Sequence, residues 1–352
     1  MSVSIVSSSS VWMESGAIRQ LESIAGYPGV ELVVGLPDLH GGRSPVGLSV
    51  AATGHIYPYL VGGDIGCGLG LWRTNLLVRK FKLDKYEKIL GALDNLPEVD
   101  LSDWPASPIH DLGSIGGGNH FIEFQKVEEI RDLATFNALG WDKNQVALVV
   151  HTGSRGLGQS ILNKFDRETG YAVEEPEASA YLAQHDQAMV WASRNREAAA
   201  RRVLAALDGG ENLELITDLP HNYIEKREEL FIHRKGAVST ERGLAVIPGS
   251  RGAFTYLVKP NPETLGTNFS ISHGAGRKWA RSMCRERLAK KYDKAGLSRT
   301  SLNSRVICHD QDLLWQEAPE AYKNIDDIIN CLVDYKLVTV TAVLRPLLTY
   351  KN

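Results

Sequence analysis

The stretch Ala147-Leu148-Val149-Val150-His151-Thr152-Gly153-Ser154-Arg155-Gly156-Leu157-Gly158 holds the key to the fold. A four-residue apolar run, too short for a helix and rich in β-branched side chains, predicts a buried strand. It runs directly into a histidine and then into a glycine-rich loop that carries an arginine. Rigid strands that deliver polar groups into loops are where proteins usually place chemistry. An arginine there suits phosphate through its fork of N–H donors; the ordinary alternative is a surface arginine beside a turn.

The same pattern recurs elsewhere. Val30 to Leu36 predicts a buried strand ending at Pro37, and Gly47 to Thr53 another. Short strands are also expected at Arg305 to Cys308 and Leu337 to Val343. From about Glu177 to Leu207 the apolar residues recur at helical spacing, with Pro176 suiting the first turn and Gly209-Gly210 the stop. A second helix is expected from about Gly276 to Lys294. No repeat or Pro/Ser-rich linker separates these segments, so one intertwined α+β domain over residues 1–352 is expected.

Composition narrows the function. A net charge of −3 excludes a polycation, so any nucleic-acid contact needs a local basic patch. The cysteines Cys67, Cys284, Cys308 and Cys331 form no CxxC pair, which favours a reducing compartment, with each thiol buried or a ligand. Met1 to Val11 lacks the basic and apolar segments of a secretion signal, and no run of about 18 apolar residues predicts a membrane helix. A cytoplasmic protein is expected.

Further segments carry candidate chemistry. In Gly62-Gly63-Asp64-Ile65-Gly66-Cys67-Gly68, an Asp and a Cys three apart can face one ion from a tight turn. In Gly116-Gly117-Gly118-Asn119-His120-Phe121-Ile122-Glu123, glycines free N–H groups for an anion. Leu219-Pro220-His221-Asn222-Tyr223 puts another histidine in a turn-like setting. Ser272-His273-Gly274-Ala275-Gly276-Arg277 opens the expected second helix, whose N-terminal N–H groups would favour a phosphate beside His273. Each alone is matched by a bland alternative, a buried thiol or a satisfied core histidine. Together they offer Asp64, Cys67, His120, His151 and His221 as metal ligands, with His273 as an extra histidine at an anion site. His40, in Pro37-Asp38-Leu39-His40-Gly41-Gly42, is a further candidate for the same site. His55, His110, His185, His233 and His309 are taken as surface or core residues.

These motifs, in this order from PDLHGG at Pro37 through HRKGA and IPGS to Lys351, resemble the RtcB family of RNA-splicing ligases along nearly the whole chain. The resemblance implies mixed and antiparallel sheets flanked by helices around a dinuclear metal cleft. It implies joining of RNA 3′-phosphate or 2′,3′-cyclic phosphate ends to 5′-hydroxyl ends, dependent on GTP and two Mn²⁺ ions. By matched motif, Asp64 and His120 would hold one ion, His151 and His221 the second, with Cys67 bridging. Asn119, His120, Phe121, Ile122, Glu123, His221, Asn222, Pro248, Gly249, Ser250, Arg251, Thr255, Gly274, Ala275, Gly276, Tyr322 and Lys351 would line the guanylate pocket. His273 would carry GMP covalently. Donor softness alone points instead to zinc; only the resemblance implies manganese, which a mixed O/N/S bridged set with open positions would suit.

The chain departs from the family pattern at Arg251, where methionine is usual, and at Lys351-Asn352, where Lys-Gly is typical. It is also tens of residues shorter than the better-known members. It thus resembles a compact branch associated with a release-factor-like protein and with ribosome or RNA repair. Arg277 to Arg299 holds nine Lys/Arg against Glu286 and Asp293, a solvated helix face or an RNA-backbone footprint. Arg155 is the one specific RNA-contact candidate. Competing functions are a dinuclear metal-dependent phosphohydrolase, which leaves His273 and Lys351 unexplained, and an inactive RNA-binding relative.

Overall fold

The computed structural model describes residues 2–100, 111–207, 212–292 and 294–351. The expected helix stop at Gly209-Gly210, His110, Asp293 and Asn352 lie outside the described residues.

Residues Gln145–Thr152 form a strand buried on both faces. Val146, Leu148 and Val150 pack into one apolar cluster with Trp72, Phe124 and Val203. Ala147 and Val149 pack into another with Leu71, Leu257 and Leu344. That two-sided burial is why the segment is continuously apolar rather than alternating. It lies inside an eight-stranded sheet ordered Ala245–Pro248, Thr255–Pro260, Val338–Lys351, Phe121–Ile130, Gln145–Thr152, Gly68–Leu77, Leu213–Pro220. Arg305–Cys308 pairs in parallel with Val338–Lys351, and the other pairings are antiparallel. A five-stranded sheet runs Ser2–Ile5, Val30–His40, Val46–Thr53, Leu230–Lys235, Asn222–Arg227. The architecture is α+β with mixed and antiparallel sheets and flanking helices.

The long helix Pro176–Ala206 lies against the large sheet. Its alanines Ala199 and Ala200 join the cluster that holds Leu148 and Val150, and their small side chains allow close approach. Among the described residues, no helix is long and apolar enough to cross a membrane.

Two expectations need correcting. The strand that starts at Val30 does not stop at Pro37 but continues to His40. Its pairing with Val46–Thr53 skips from Gly35 to His40, so no ladder bond requires the N–H that Pro37 lacks. The second helix begins at Arg281, not Gly276, and ends at Leu288; Lys294–Leu297 is separate. Gly276 adopts a φ of 71°, outside the right-handed helical region, and Lys278 donates its N–H to Ala321 instead of a helical partner. The helix-terminus argument for His273 therefore does not hold.

Candidate metal and nucleotide site

Antiparallel pairing gathers the chemistry. Four adjacent strands bring their loop-facing ends to one edge: Phe121 and Leu69 both register with His151, and Gly68 registers with Thr152 and Pro220. Cys67, His120, His151 and His221 are at those ends, so residues far apart in sequence become neighbours. Cys67 Sγ lies 3.4 Å from His120 Nε2 and 3.3 Å from His151 Nε2. His151 Nε2 is 3.3 Å from His221 Nε2, and His120 Nε2 is 2.9 Å from Asp64 Oδ2. Cys67, His120 and His151 form a buried group able to hold a metal ion.

The loop geometry is specific. Gly66 turns with a φ of 73°, a conformation costly for other residues. A Cβ on Gly153 would sit 2.2 Å from Asp64 Oδ1, so only glycine lets that carboxylate approach. His151 Nδ1 donates to the Asn119 carbonyl at 3.2 Å, which leaves its Nε2 lone pair facing the cluster. Arg155 Nη1 lies 3.3 Å from His120 Nδ1, on the side of the ring away from the cluster. Burial pushes His151 and His221 well below the ordinary imidazole range, favouring the neutral form that binds cations. Burial pushes the Cys67 thiol up. Asp64 resists the upward pull of burial and is held below the usual carboxylate range by His120 and Cys67.

His273 stands beside this cluster. Its ring centroid is 4.6 Å from that of His221. Its Nδ1 is 2.6 Å from Asp38 Oδ2, and its backbone N–H donates to the same oxygen at 3.2 Å. Asp38 is fully buried, yet His273, Ser272 and Lys323 outweigh burial and hold its carboxyl below the usual range. His40 Nδ1 donates to the Asp38 carbonyl, 2.9 Å away, and burial lowers the His40 imidazole to about 4.

A cleft of about 1260 Å³ joins these groups. Of the residues expected around a guanylate, Asn119, Phe121, Glu123, His221, Asn222, Pro248, Gly249, Ser250, Arg251, Thr255, His273, Gly274, Ala275, Gly276, Tyr322 and Lys351 line it, as do Asp64, Cys67, His151 and His40. His120 and Ile122 do not, and neither does Arg155, the RNA-contact candidate. Ile122 is turned into the apolar core by strand alternation. Glu123 is buried and accepts from Thr349 Oγ1 and Gln125 Nε2, each at 2.5 Å; burial raises its carboxyl. Lys351 Nζ donates to the His120 carbonyl at 2.8 Å. Arg251 donates to the Leu314 carbonyl at 3.1 Å. Tyr322 donates to Glu317, which also pairs with Arg277 at 3.2 Å.

A profile for the family described as "tRNA-splicing ligase RtcB" matches residues 20–106 and 102–352. The chain belongs to the RtcB family. It is 44% identical to the "RNA-splicing ligase RtcB2" of Escherichia coli, over 99% of this chain and 95% of that protein. It is 28% identical to the "tRNA-splicing ligase RtcB" of Nanoarchaeum equitans, over 92% and 88% of the two chains. To the "RNA-splicing ligase RtcB" of Escherichia coli strain K12 it is 27% identical, over 97% and 95%.

Several residues of this RtcB-family chain escaped sequence reasoning. Asn195 and Arg196 come from the long helix and are buried. Asn195 Nδ2 donates to the Ser114 carbonyl at 2.9 Å and its Oδ1 accepts from Gly113 at 2.7 Å. Arg196 donates to the carbonyls of Gly66 at 2.7 Å and Thr152 at 3.0 Å, next to the candidate ligands Cys67 and His151, and pairs with Asp218. In the sequence both look like exposed helix residues; only a helical-wheel alignment with Ala188, Ala192 and Ala199 marks their face as buried. The histidines His185 and His233 are core residues, each accepting a backbone N–H at Nε2, from Ile224 and Tyr57 respectively.

Proposed function

We propose that the chain is an RNA ligase that joins a 3′-phosphate or 2′,3′-cyclic phosphate end to a 5′-hydroxyl end, using GTP and manganese, in RNA repair or tRNA splicing in the cytoplasm. The observation that carries this reading is the placement of His273, braced by Asp38, against His221 of the donor cluster within one cleft.

The donor set fits metal binding: His151 and His221 aim Nε2 atoms at each other, beside a thiol, at spacings suited to ligands of a shared cation. Asp64, Cys67 and His120 would hold one Mn²⁺, and Cys67, His151 and His221 the second. When bound, such ions supply positive charge against phosphate oxygens.

The protein's own groups do the rest. Asp38 accepts a hydrogen bond from the Nδ1–H of His273, which keeps the proton on Nδ1 and leaves the Nε2 lone pair free to act as nucleophile. Nε2 attacks the α-phosphorus of GTP; the N–P bond forms as the bond to the bridging oxygen breaks, and pyrophosphate leaves. An oxygen of the RNA 3′-phosphate then displaces His273 and takes the GMP. The 5′-hydroxyl attacks that activated phosphate, forming the phosphodiester and releasing GMP. A cyclic phosphate is first opened by water. Glu123, Thr255, Tyr322 and Lys351 line the part of the cleft that would receive guanosine. Burial lends their hydrogen bonds strength. A release-factor-like partner is part of this proposal as a biological setting.

The test is sealing of two synthetic RNAs, one ending in a 3′-phosphate and one starting with a 5′-hydroxyl, with GTP and Mn²⁺. A joined product is expected, with none from His273→Ala. Release of inorganic phosphate without joining would favour a phosphohydrolase.

A further inference from the structure

We propose that Lys323 is a positioning residue that aligns the Asp38–His273 pair from behind the cleft, by gripping both chain segments that carry it. The inference rests on the reading of His273 as the nucleophile.

Lys323 does not line the cleft and is 6% exposed. Its Nζ donates to the Pro37 carbonyl at 2.9 Å and to the Leu39 carbonyl at 2.8 Å, the two residues flanking Asp38. Its backbone N–H donates to the Gly276 carbonyl at 2.9 Å, three residues beyond His273. One residue therefore ties the aspartate segment with its side chain and the histidine loop with its backbone.

The surroundings explain why this grip matters. Between Gly35 and His40 the strand makes no register pairs with Val46–Thr53, so the ladder does not fix Asp38. Asp38 Oδ1 has no hydrogen-bond partner among the described residues. A Cβ on Gly276 would lie 2.2 Å from the Asp38 carbonyl, so the two segments touch backbone to backbone and a small slide of either would displace the carboxylate.

The use of a lysine is itself informative. A buried ammonium is costly to desolvate, and an apolar side chain would fill the space at lower cost. None of the ion pairs among the described residues includes Lys323, and its Nζ also lies 4.0 Å from Met13 Sδ. What the ammonium supplies is two donors spanning Asp38 and a positive charge beside a buried carboxylate.

The experiment uses the full chain with ¹⁵N-labelled histidine, as wild type, Lys323→Met, Lys323→Gln and Lys323→Arg. The first readout, without nucleotide, is the downfield Nδ1 proton of His273, assigned by its loss in Asp38→Ala. The second is the single-turnover rate of GMP attachment with GTP and Mn²⁺, and its dependence on GTP concentration. Lys323→Met is expected to lose or shift that resonance. It is expected to slow attachment on the order of ten- to a hundredfold, the effect of displacing a reacting group by about 1 Å. The half-saturating GTP concentration should stay unchanged, and Lys323→Arg should recover part of both. If Lys323→Met does not fold, Lys323→Gln, which is too short to span both carbonyls, carries the same criteria. An unmoved resonance with an unchanged rate would overturn the proposal. A resonance lost in Lys323→Met, in a protein that never attaches GMP, would uphold the positioning role and refute the ligase reading.

Discussion

Replacing Asp38 by asparagine isolates what the buried carboxylate does. The perturbed contact is the 2.6 Å hydrogen bond from His273 Nδ1 to Asp38 Oδ2, an oxygen that also accepts the His273 N–H. Asparagine keeps the shape but has one oxygen. If that oxygen stays at Nδ1, the proton arrangement survives and only the charge is lost. A hydrogen bond to a charged group is worth about 1.5–3 kcal/mol, which corresponds to roughly a 10- to 150-fold slower step. If the amide NH₂ turns to Nδ1, the imidazole proton moves to Nε2 and the nucleophile is blocked. The equivalent change in the serine-protease triad costs about 10⁴-fold. Asp38→Asn is thus expected to slow GMP attachment at least about tenfold in a single-turnover mass-spectrometric assay. Asp38 Oδ1 is buried without a partner, and the asparagine atom at that position would be unpartnered too, so that cost is common to both residues and the unfolding midpoint should not fall in proportion to the rate. A rate within about twofold of wild type, at saturating GTP, would refute the claim that the Asp38 carboxylate orients His273 and supports its attack.

Other expectations follow from the same geometry. Arg196→Met strands Asp218 and the carbonyls of Gly66 and Thr152; breaking such a buried pair typically costs about 3–5 kcal/mol, measurable as a lower urea midpoint, and an unchanged midpoint would deny Arg196 its bracing role. Manganese should raise the melting temperature in proportion to about 2.7 kcal/mol at a hundredfold excess over its dissociation constant, and Cys67→Ala should abolish that rise; a rise retained in Cys67→Ala would contradict the bridging ligand. Burial pushes Lys323 and Lys235 down from 10.5 to about 8, so folding favours their neutral forms. The destabilising cost is therefore full below pH 8 and relieved as pH rises toward 10.5; the thiols, pushed up by burial, act the opposite way, so the lysine is read from the difference, and wild type should gain stability relative to Lys323→Met between pH 8 and 10, as chemical denaturation at each pH would report. Arg285 pairs at 3.2 Å with Asp312, both largely exposed, so charge reversal at Arg285 should spare the fold while weakening RNA binding and flattening its salt dependence; unchanged affinity would remove the footprint.

The sequence exposed the site better than its supports. Asp64, Cys67, His120, His151, His221 and His273 sit in short motifs whose glycines mark the tight turns and close backbone approaches that other residues would resist, so residue identity and local geometry are readable together. The buried strand at Gln145–Thr152 and the helix from Pro176 were legible for similar local reasons, two-sided apolar burial and a proline at the first turn. What failed depended on distant partners. The segment after His273 has helical composition, but Gly276 and the pull of Glu317 and Ala321 on residues 277–279 hold it extended. Pro37 looked like a strand end because nothing local shows that Lys323 would take the carbonyls beside it. Asn195, Arg196 and Asp38 are ordinary polar residues until the fold buries them against the loops they hold.

The most direct test of the central claim is peptide-level mass spectrometry of the full chain after incubation with GTP and Mn²⁺, without RNA. The account predicts one GMP, linked through nitrogen to His273 and absent from His273→Ala. Attachment at another residue, or none in protein shown to hold manganese, would contradict it.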